Sequence, residues 1–213
     1  VIVDARILLE DYRPRPKGNP YHHLVISPYP EKYIKLIHVK GDRPVVLRPI
    51  RPEDEPMEAA MFSGLSDKSV YLRFLGYIPQ VTHNFLSRLT QIDYDREMAI
   101  IAEVQDEYGG QKEMAGVVRL IADCWGDNAE FAIIVADKFQ GQGLGSRMFD
   151  YSLEVARDKG IRTIHAWTLR DNERMIQMLK SRGISLSLEE DAFRAELDLE
   201  HSMPFATELP FSP

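Results

Sequence analysis

Gly141, Gly143 and Gly145 alternate in QGQGLGSR, and they separate two segments of different periodicity. Before them, NAEFAIIVAD alternates as a strand does. After them, SRMFDYSLEVARDKG places Met148, Phe149, Leu153, Val155 and Ala156 on one helical face and stops at Gly160. A strand that enters a helix through glycines lets backbone amides approach a ligand closely. The helix, starting at about Leu144, turns its first amides and the positive end of its dipole toward an anion. A plain turn is the simpler alternative, and three glycines together weigh against it.

The spacing narrows what the loop can hold. A dinucleotide fingerprint runs GxGxxG, whereas these glycines run GxGxG, and no acid ends the next strand to take a ribose hydroxyl. A mononucleotide P-loop needs GK followed by Ser or Thr, and Gly145-Ser146-Arg147 lacks the lysine. What remains is an anion site made by backbone amides alone.

The rest of the chain supplies the surroundings. PVVLRPIRPEDE reads as a strand followed by a helix start with Pro52 and three acids in its first turn. Residues 57–90 read as helix with breaks. REMAIIAEVQDE and KEMAGVVRLIAD form a hairpin about a turn at Tyr108-Gly109-Gly110, and NAEFAIIVAD follows after Gly126-Asp127-Asn128. TIHAWTL is a strand, NERMIQMLKSRG a helix opened near Asn172 and closed by Gly183, and AFRAELDLE a last strand. The order is strand, helices, three antiparallel strands, helix, strand, helix, strand. It predicts a mixed α/β (α+β) fold around a largely antiparallel sheet.

Ahead of residue 44, DYRPRPKGNP reads as linker, while HLVISPYP and YIKLIHVK are short strand candidates. The first residue is not methionine and the start falls in mid-element, which reads as a piece of a longer chain. VIVDARILLE carries acids and no basic region, so it is no signal peptide, and no apolar run is long enough for a bilayer. The net charge of −7 leaves no basic stripe for nucleic acid. One cysteine, Cys124, excludes an internal disulfide and a cysteine metal cluster, and fits a cytoplasmic setting. His22-His23 lacks metal-ligand spacing, and no metal is expected.

VADKFQGQGLGSRMFD resembles the acetyl-CoA-binding motif of the GNAT superfamily of N-acetyltransferases, Q/R-x-x-G-x-G/A, in Gln140, Gly143 and Gly145. The resemblance covers about Pro44 to Leu199 and implies the GNAT fold, with acetyl-CoA as cosubstrate. It implies backbone groups of Ile133 and Val135 for the pantetheine arm. The amides of Gly141, Gln142, Gly143, Leu144, Gly145 and Ser146 would take the pyrophosphate, and Asn172 would approach from the next helix. More narrowly, the chain is similar to the C-terminal domain of Pat-type protein lysine acetyltransferases. There the domain follows an acyl-CoA-synthetase-like region ending in an ATP-grasp unit, whose tail and linker residues 1–43 resemble. Residues 44–200 are then the transferase domain and 201–213 a tail. The implied partner is a protein with a reactive lysine, an acyl-CoA synthetase being the foremost example.

Acetylating an amine requires its neutral form, which is about 0.04% of a free lysine at pH 7. A carboxylate base in a partly dry cleft meets that need. Glu130, heading an otherwise apolar strand, reads on its own as an edge charge; the Pat resemblance implies the catalytic base. Alternation places Glu130, Ala132 and Ile134 on one face and Phe131, Ile133 and Val135 on the other. Glu103 and Asp106 on the hairpin could line an acceptor groove, and a solvated strand face explains them as well. Many GNAT enzymes carry a tyrosine acid where this chain has Leu179, so no acid is assigned. His165, Met175 and Met178 read as packing residues, and Arg73, Phe74, Tyr77 and Phe85 as either a protein-facing surface or helix packing. A small-amine acetyltransferase and a non-catalytic acetyl-CoA sensor are the competing functions.

Overall fold

The computed structural model describes residues 27–76, 80–105 and 110–201. Among the described residues, eight strands form a single sheet: β1 Lys35–Val39, β2 Arg43–Pro49, β3 Glu97–Val104, β4 Glu113–Ala122, β5 Asn128–Val135, β6 Thr163–Leu169, β7 Ser185–Glu189 and β8 Ala192–Asp198. Their order is β1-β2-β3-β4-β5-β6-β8-β7, and every pair is antiparallel except β5 with β6. Five α-helices of the described residues flank it: α1 Glu55–Ser63, α2 Asp67–Phe74, α3 His83–Thr90, α4 Leu144–Asp158 and α5 Glu173–Lys180.

Two helix layers follow from the strand alternation. Arg119 on β4 reaches Glu58 of α1 and the Leu89 carbonyl beside it on α3, so the odd side chains of β4 face those helices. On β5 the register gives that face to Glu130, Ala132 and Ile134. Phe131 points to the opposite side, where its ring meets Phe149 of α4 edge-on at 5.0 Å. Met148, Phe149, Leu153, Val155 and Ala156 are all buried, as their periodicity predicts. Each large one contributes roughly 1.5–3 kcal/mol by leaving water.

Caps set the helix starts. Ser66 accepts from Ser69 N at 3.2 Å, Thr82 from Phe85 N at 3.2 Å and Asn172 from Met175 N at 3.3 Å. The Pro52 start is a short 3₁₀ turn, Pro52–Asp54, leading into α1. Buried Asp54 there takes both ends of the Arg48 fork at 2.7 Å.

Three elements differ from the sequence reading. The edge strand β7 is absent from that reading because SLSLE, mostly polar and exposed, carries little core signal. Ser27–Pro30 of the HLVISPYP candidate are not strand, and the remainder of that candidate lies outside the described residues. YIKLIHVK, set ahead of residue 44, supplies β1, which pairs with β2 through Lys35↔Leu47 to Val39↔Arg43. The Tyr108-Gly109 part of the hairpin turn lies outside the described residues.

Candidate active site

A cleft of about 820 Å³ runs where β5 and β6 part company. The two strands pair only over Asn128↔Thr163 to Glu130↔His165, and beyond Glu130 the edge of β5 is open. Antiparallel strands direct their hydrogen bonds alternately to one side and the other. Ala136 N donates to Ala115 O and Asp123 N to Asn128 O, which fixes the phase. Residues 130, 132 and 134 therefore bond β4, and the backbone groups of Ile133 and Val135 face the opening. The Val135 carbonyl is already engaged, accepting from Gln140 Nε2 at 2.9 Å.

Gly116 makes this geometry possible, since a Cβ there would lie 2.7 Å from the Ile134 carbonyl and 3.3 Å from Met148 Sδ. It sits opposite Val135, beside the bulge between Ala102 and Glu103. A lone glycine within a strand pattern was the available signal for such a close approach.

The glycine loop closes one end of the cleft. Gly141 and Gly143 adopt φ of 73° and 81°, left-handed values that suit glycine, and Gly143 is the N-cap of α4. A Cβ at either would meet nothing within 4 Å, so the space in front of both is open. Gly141, Gly143, Gly145 and Ser146 line the cleft, and Asn172 lines it from the start of α5. Gln142 and Leu144 do not line it: Gln142 turns back to donate to the Lys138 carbonyl, and Leu144 is a core side chain. Gln140 is a brace, bonding Val135 and Ser69 and accepting from Arg174. The loop is also held from behind, where Lys40 N donates to the Gln142 carbonyl at 3.3 Å.

Glu130 lines the cleft from the α1–α3 face of β5, exposed and without a hydrogen-bond or ion-pair partner among the described residues. Both faces of β5 contribute lining residues from Glu130 to Val135, so the opening joins the glycine loop to the side that Glu130 faces. Arg73, which the sequence reading left undecided, lines the same space from α2.

The other acids are elsewhere. Glu103 is buried and bonded by Arg48 at 2.8 Å and Lys112 at 2.6 Å; burial pushes its carboxyl up, but those two bonds outweigh it and hold it below the usual range. Asp106 and His22-His23 lie outside the described residues. Leu179 is 1% exposed, so nothing at that position can give a proton to a ligand. Among the described residues, the hydroxyls lining the cleft belong to Ser66, Ser69 and Ser146. His165 is half-buried and Cys124 half-buried with no disulfide. Phe74 and Phe85 pack on each other and on Phe62 at 5.7–6.0 Å, as helix packing does, and Tyr77 lies outside the described residues. No group of three His, Cys, Asp or Glu among the described residues could hold a metal, and no described helix is long and apolar enough to cross a membrane.

A sheet opened at β5, with a glycine loop and a helix N-terminus at the gap, defines a transferase-type cleft suited to an anionic ligand with a peptide-like arm. Residues 69–184 match the family model described as the acetyltransferase (GNAT) family, and the chain belongs to that family. A curated acetyltransferase of Pseudomonas aeruginosa is 33% identical over 141 residues, 66% of this chain and 75% of that protein. The GNAT domain of S. lividans PAT superposes with a TM-score of 0.72 at 26% identity, covering 80% of this chain and 99% of that one. A spermidine N-acetyltransferase from Vibrio cholerae, solved with CoA and spermine, shares the fold at TM-score 0.60 and 19% identity, covering 73% of this chain and 96% of that one. The protein is an acyltransferase of the GNAT fold, a family whose members use acetyl-CoA.

Proposed function

We propose that this enzyme acetylates the side-chain amine of a protein lysine, with Glu130 as the general base. The observation that carries the reading is an unpartnered, exposed carboxylate in the same cleft as the glycine loop, on the far side of the strand opening. The acceptor amine arrives as an ammonium, and Glu130 takes its proton so that the nitrogen lone pair becomes available.

The residues present fit acetyl-CoA. The Ile133 N–H and C=O and the Val135 N–H offer strand-like bonds to an amide-bearing arm. The amides of residues 141–146 and the α4 dipole suit a pyrophosphate. Here Gln142 and Leu144 contribute backbone only. Asn172 uses its carbonyl oxygen as a cap and keeps its NH₂ for a ligand. When bound, acetyl-CoA supplies the acetyl group as an activated thioester.

The similarity to Pat-type domains supports a protein acceptor, for which an acyl-CoA synthetase is the proposed example, and the single cysteine fits a cytoplasmic setting. The transferase unit is proposed to run over residues 44–200, with β1 added at its edge. An ATP-grasp-like tail before it and a C-terminal tail at 201–213 fall largely outside the described residues. Acetylation of a mixed panel, folded proteins beside spermidine and free lysine, read by mass spectrometry, tests the reading. Protein lysines modified far faster than the small amines is the expected result. The reverse makes this a small-amine enzyme, and acetyl-CoA binding with no transfer makes it a sensor.

A further inference from the structure

We infer that Arg73 is the receptor for a carboxylate that the acceptor carries near its amine, so that the cleft reads an acid and an amine together. The inference rests on the proposed amine acetylation and adds a substrate class to it.

Arg73 lines the cleft together with Glu130 and has no hydrogen-bond or ion-pair partner among the described residues. Its one contact of note is with the neighbouring Phe74 ring, 4.9 Å from the guanidinium carbon. The two arginines on the neighbouring strands are satisfied by comparison. Arg48 holds Asp54 and Glu103, and Arg119 holds Glu58 at 3.1 Å and Glu97 at 2.8 Å. Among the described residues the acids acting on Arg73 are Glu58, Glu97 and Glu130, and Arg119 engages the first two. Glu130 is left, and pairing it with Arg73 would occupy the base.

A half-buried guanidinium without an anion is costly, and a five-donor fork matches a carboxylate in two bonds at once. Burial, and then repulsion from Arg119, bring the Arg73 guanidinium down to about 10, so it remains charged at neutral pH. A carboxylate entering with the acceptor relieves both conditions. It neutralises Arg73, and it leaves Glu130 free to take the ammonium proton.

That carboxylate can come from an Asp or Glu side chain flanking the lysine or from the α-carboxylate of a small amino acid. The test compares acceptors that differ only in this charge. Lysine peptides carry Glu or Gln within two residues of the lysine, and Nα-acetyl-lysine is set beside its N-methylamide. For the native enzyme kcat/KM should be about tenfold or more higher for the acid member of one of these pairs. Arg73→Gln should bring that ratio to near one with acetyl-CoA affinity unchanged, and Arg73→Lys should keep part of it. A preference among peptides identifies the flanking side chain, and one between Nα-acetyl-lysine and its N-methylamide identifies the α-carboxylate. A native ratio near one overturns the inference. So does a ratio that survives Arg73→Gln, or a loss in that variant that is uniform across all acceptors, which would make Arg73 a steadying partner of Glu130.

Calorimetry provides a readout independent of folding in the variant and of turnover. With CoA present, the native protein should bind the Nε-acetylated acid member of one of the two pairs more tightly than its neutral counterpart, and equal binding within both pairs refutes the inference. Absence of any acetylation would sink the transferase reading, while the calorimetric pairs still decide the role of Arg73.

Discussion

The glycine-loop side of the cleft and the Glu130 side are made of different material. On the first, the groups offered are main-chain amides and carbonyls: the open edge of β5, the left-handed loop and the first turn of α4. On the second they are side chains, Glu130, Arg73 and the half-exposed Trp167. A backbone surface depends on conformation and tolerates many sequences provided the glycines stay. A side-chain surface changes its ligand with one substitution. On the proposed function the first half sets affinity for the donor and the second the choice of acceptor, and that division can be attacked from either side.

The largest expected effect is on the side-chain half. Glu130→Gln should lower turnover by roughly 10²–10⁴-fold while acetyl-CoA affinity stays nearly unchanged, as steady-state kinetics and calorimetry would show. Turnover within a few-fold of native at neutral pH would remove Glu130 as the base. Gly143→Val strikes the backbone half. Its left-handed φ of 81° costs a β-branched residue about 1–2 kcal/mol, and the added methyls enter open cleft space. Acetyl-CoA affinity should fall by about tenfold or more with the fold retained and turnover at saturation largely kept. Equal affinity in a folded variant would break the assignment of the loop.

A chain beginning at Gly41 gives a smaller effect that sharpens the comparison. From the sequence, the first forty residues are expected to be dispensable for transfer. The pairing of β1 with β2, the Tyr33 hydroxyl bonded to Asp158 at 2.6 Å and the Lys40–Gln142 bond behind the loop argue for a cost. The shortened chain should melt lower and bind acetyl-CoA a few-fold more weakly, with its acceptor preference intact. Full stability and affinity would show that the loop needs no prop.

Asp137 offers the mildest perturbation. It accepts from Ser66 N, Ser66 Oγ and Ser69 Oγ at 2.8–3.0 Å, fastening the start of α2 to the cleft wall. Burial pushes its carboxyl up, but these bonds outweigh that and set it below the usual 3.8. Its stabilisation is therefore present above about pH 4 and is lost as pH falls through the lowered value. Asp137→Asn should raise the acceptor KM a few-fold, leave acetyl-CoA affinity alone and flatten the acid limb of the stability profile.

Legibility in the sequence divides along the same line. The strand, glycine loop and α4 could be read in order because periodicity and left-handed glycines are local signals. The cap at Asn172 and the packing face from Met148 to Ala156 were equally local. The role proposed for Arg73 could not be read, because it depends on the nearness of Glu130, and only the fold brings α2 over β5. Phe74 and Phe85 were ambiguous for the related reason that an aromatic cluster looks alike whether it meets another helix or another protein. Gly116 gave a signal, but one that names a close approach without naming what approaches. The polar edge strand β7 gave almost none.

The opening in the middle of the sheet has a consequence for the solution behaviour of the protein. Unpaired strand edges at the margin of a sheet recruit other chains and seed aggregates. Here, besides the marginal edges at β1 and β7, a further open edge, the β5 side beyond Glu130, lies in the interior, hemmed in by β6, α2 and α5. A strand of another protein would have to thread between them lengthwise, whereas a slender, flexible molecule with an occasional amide could slip in from the end. The protein thus keeps an unsatisfied strand without exposing it to its own kind.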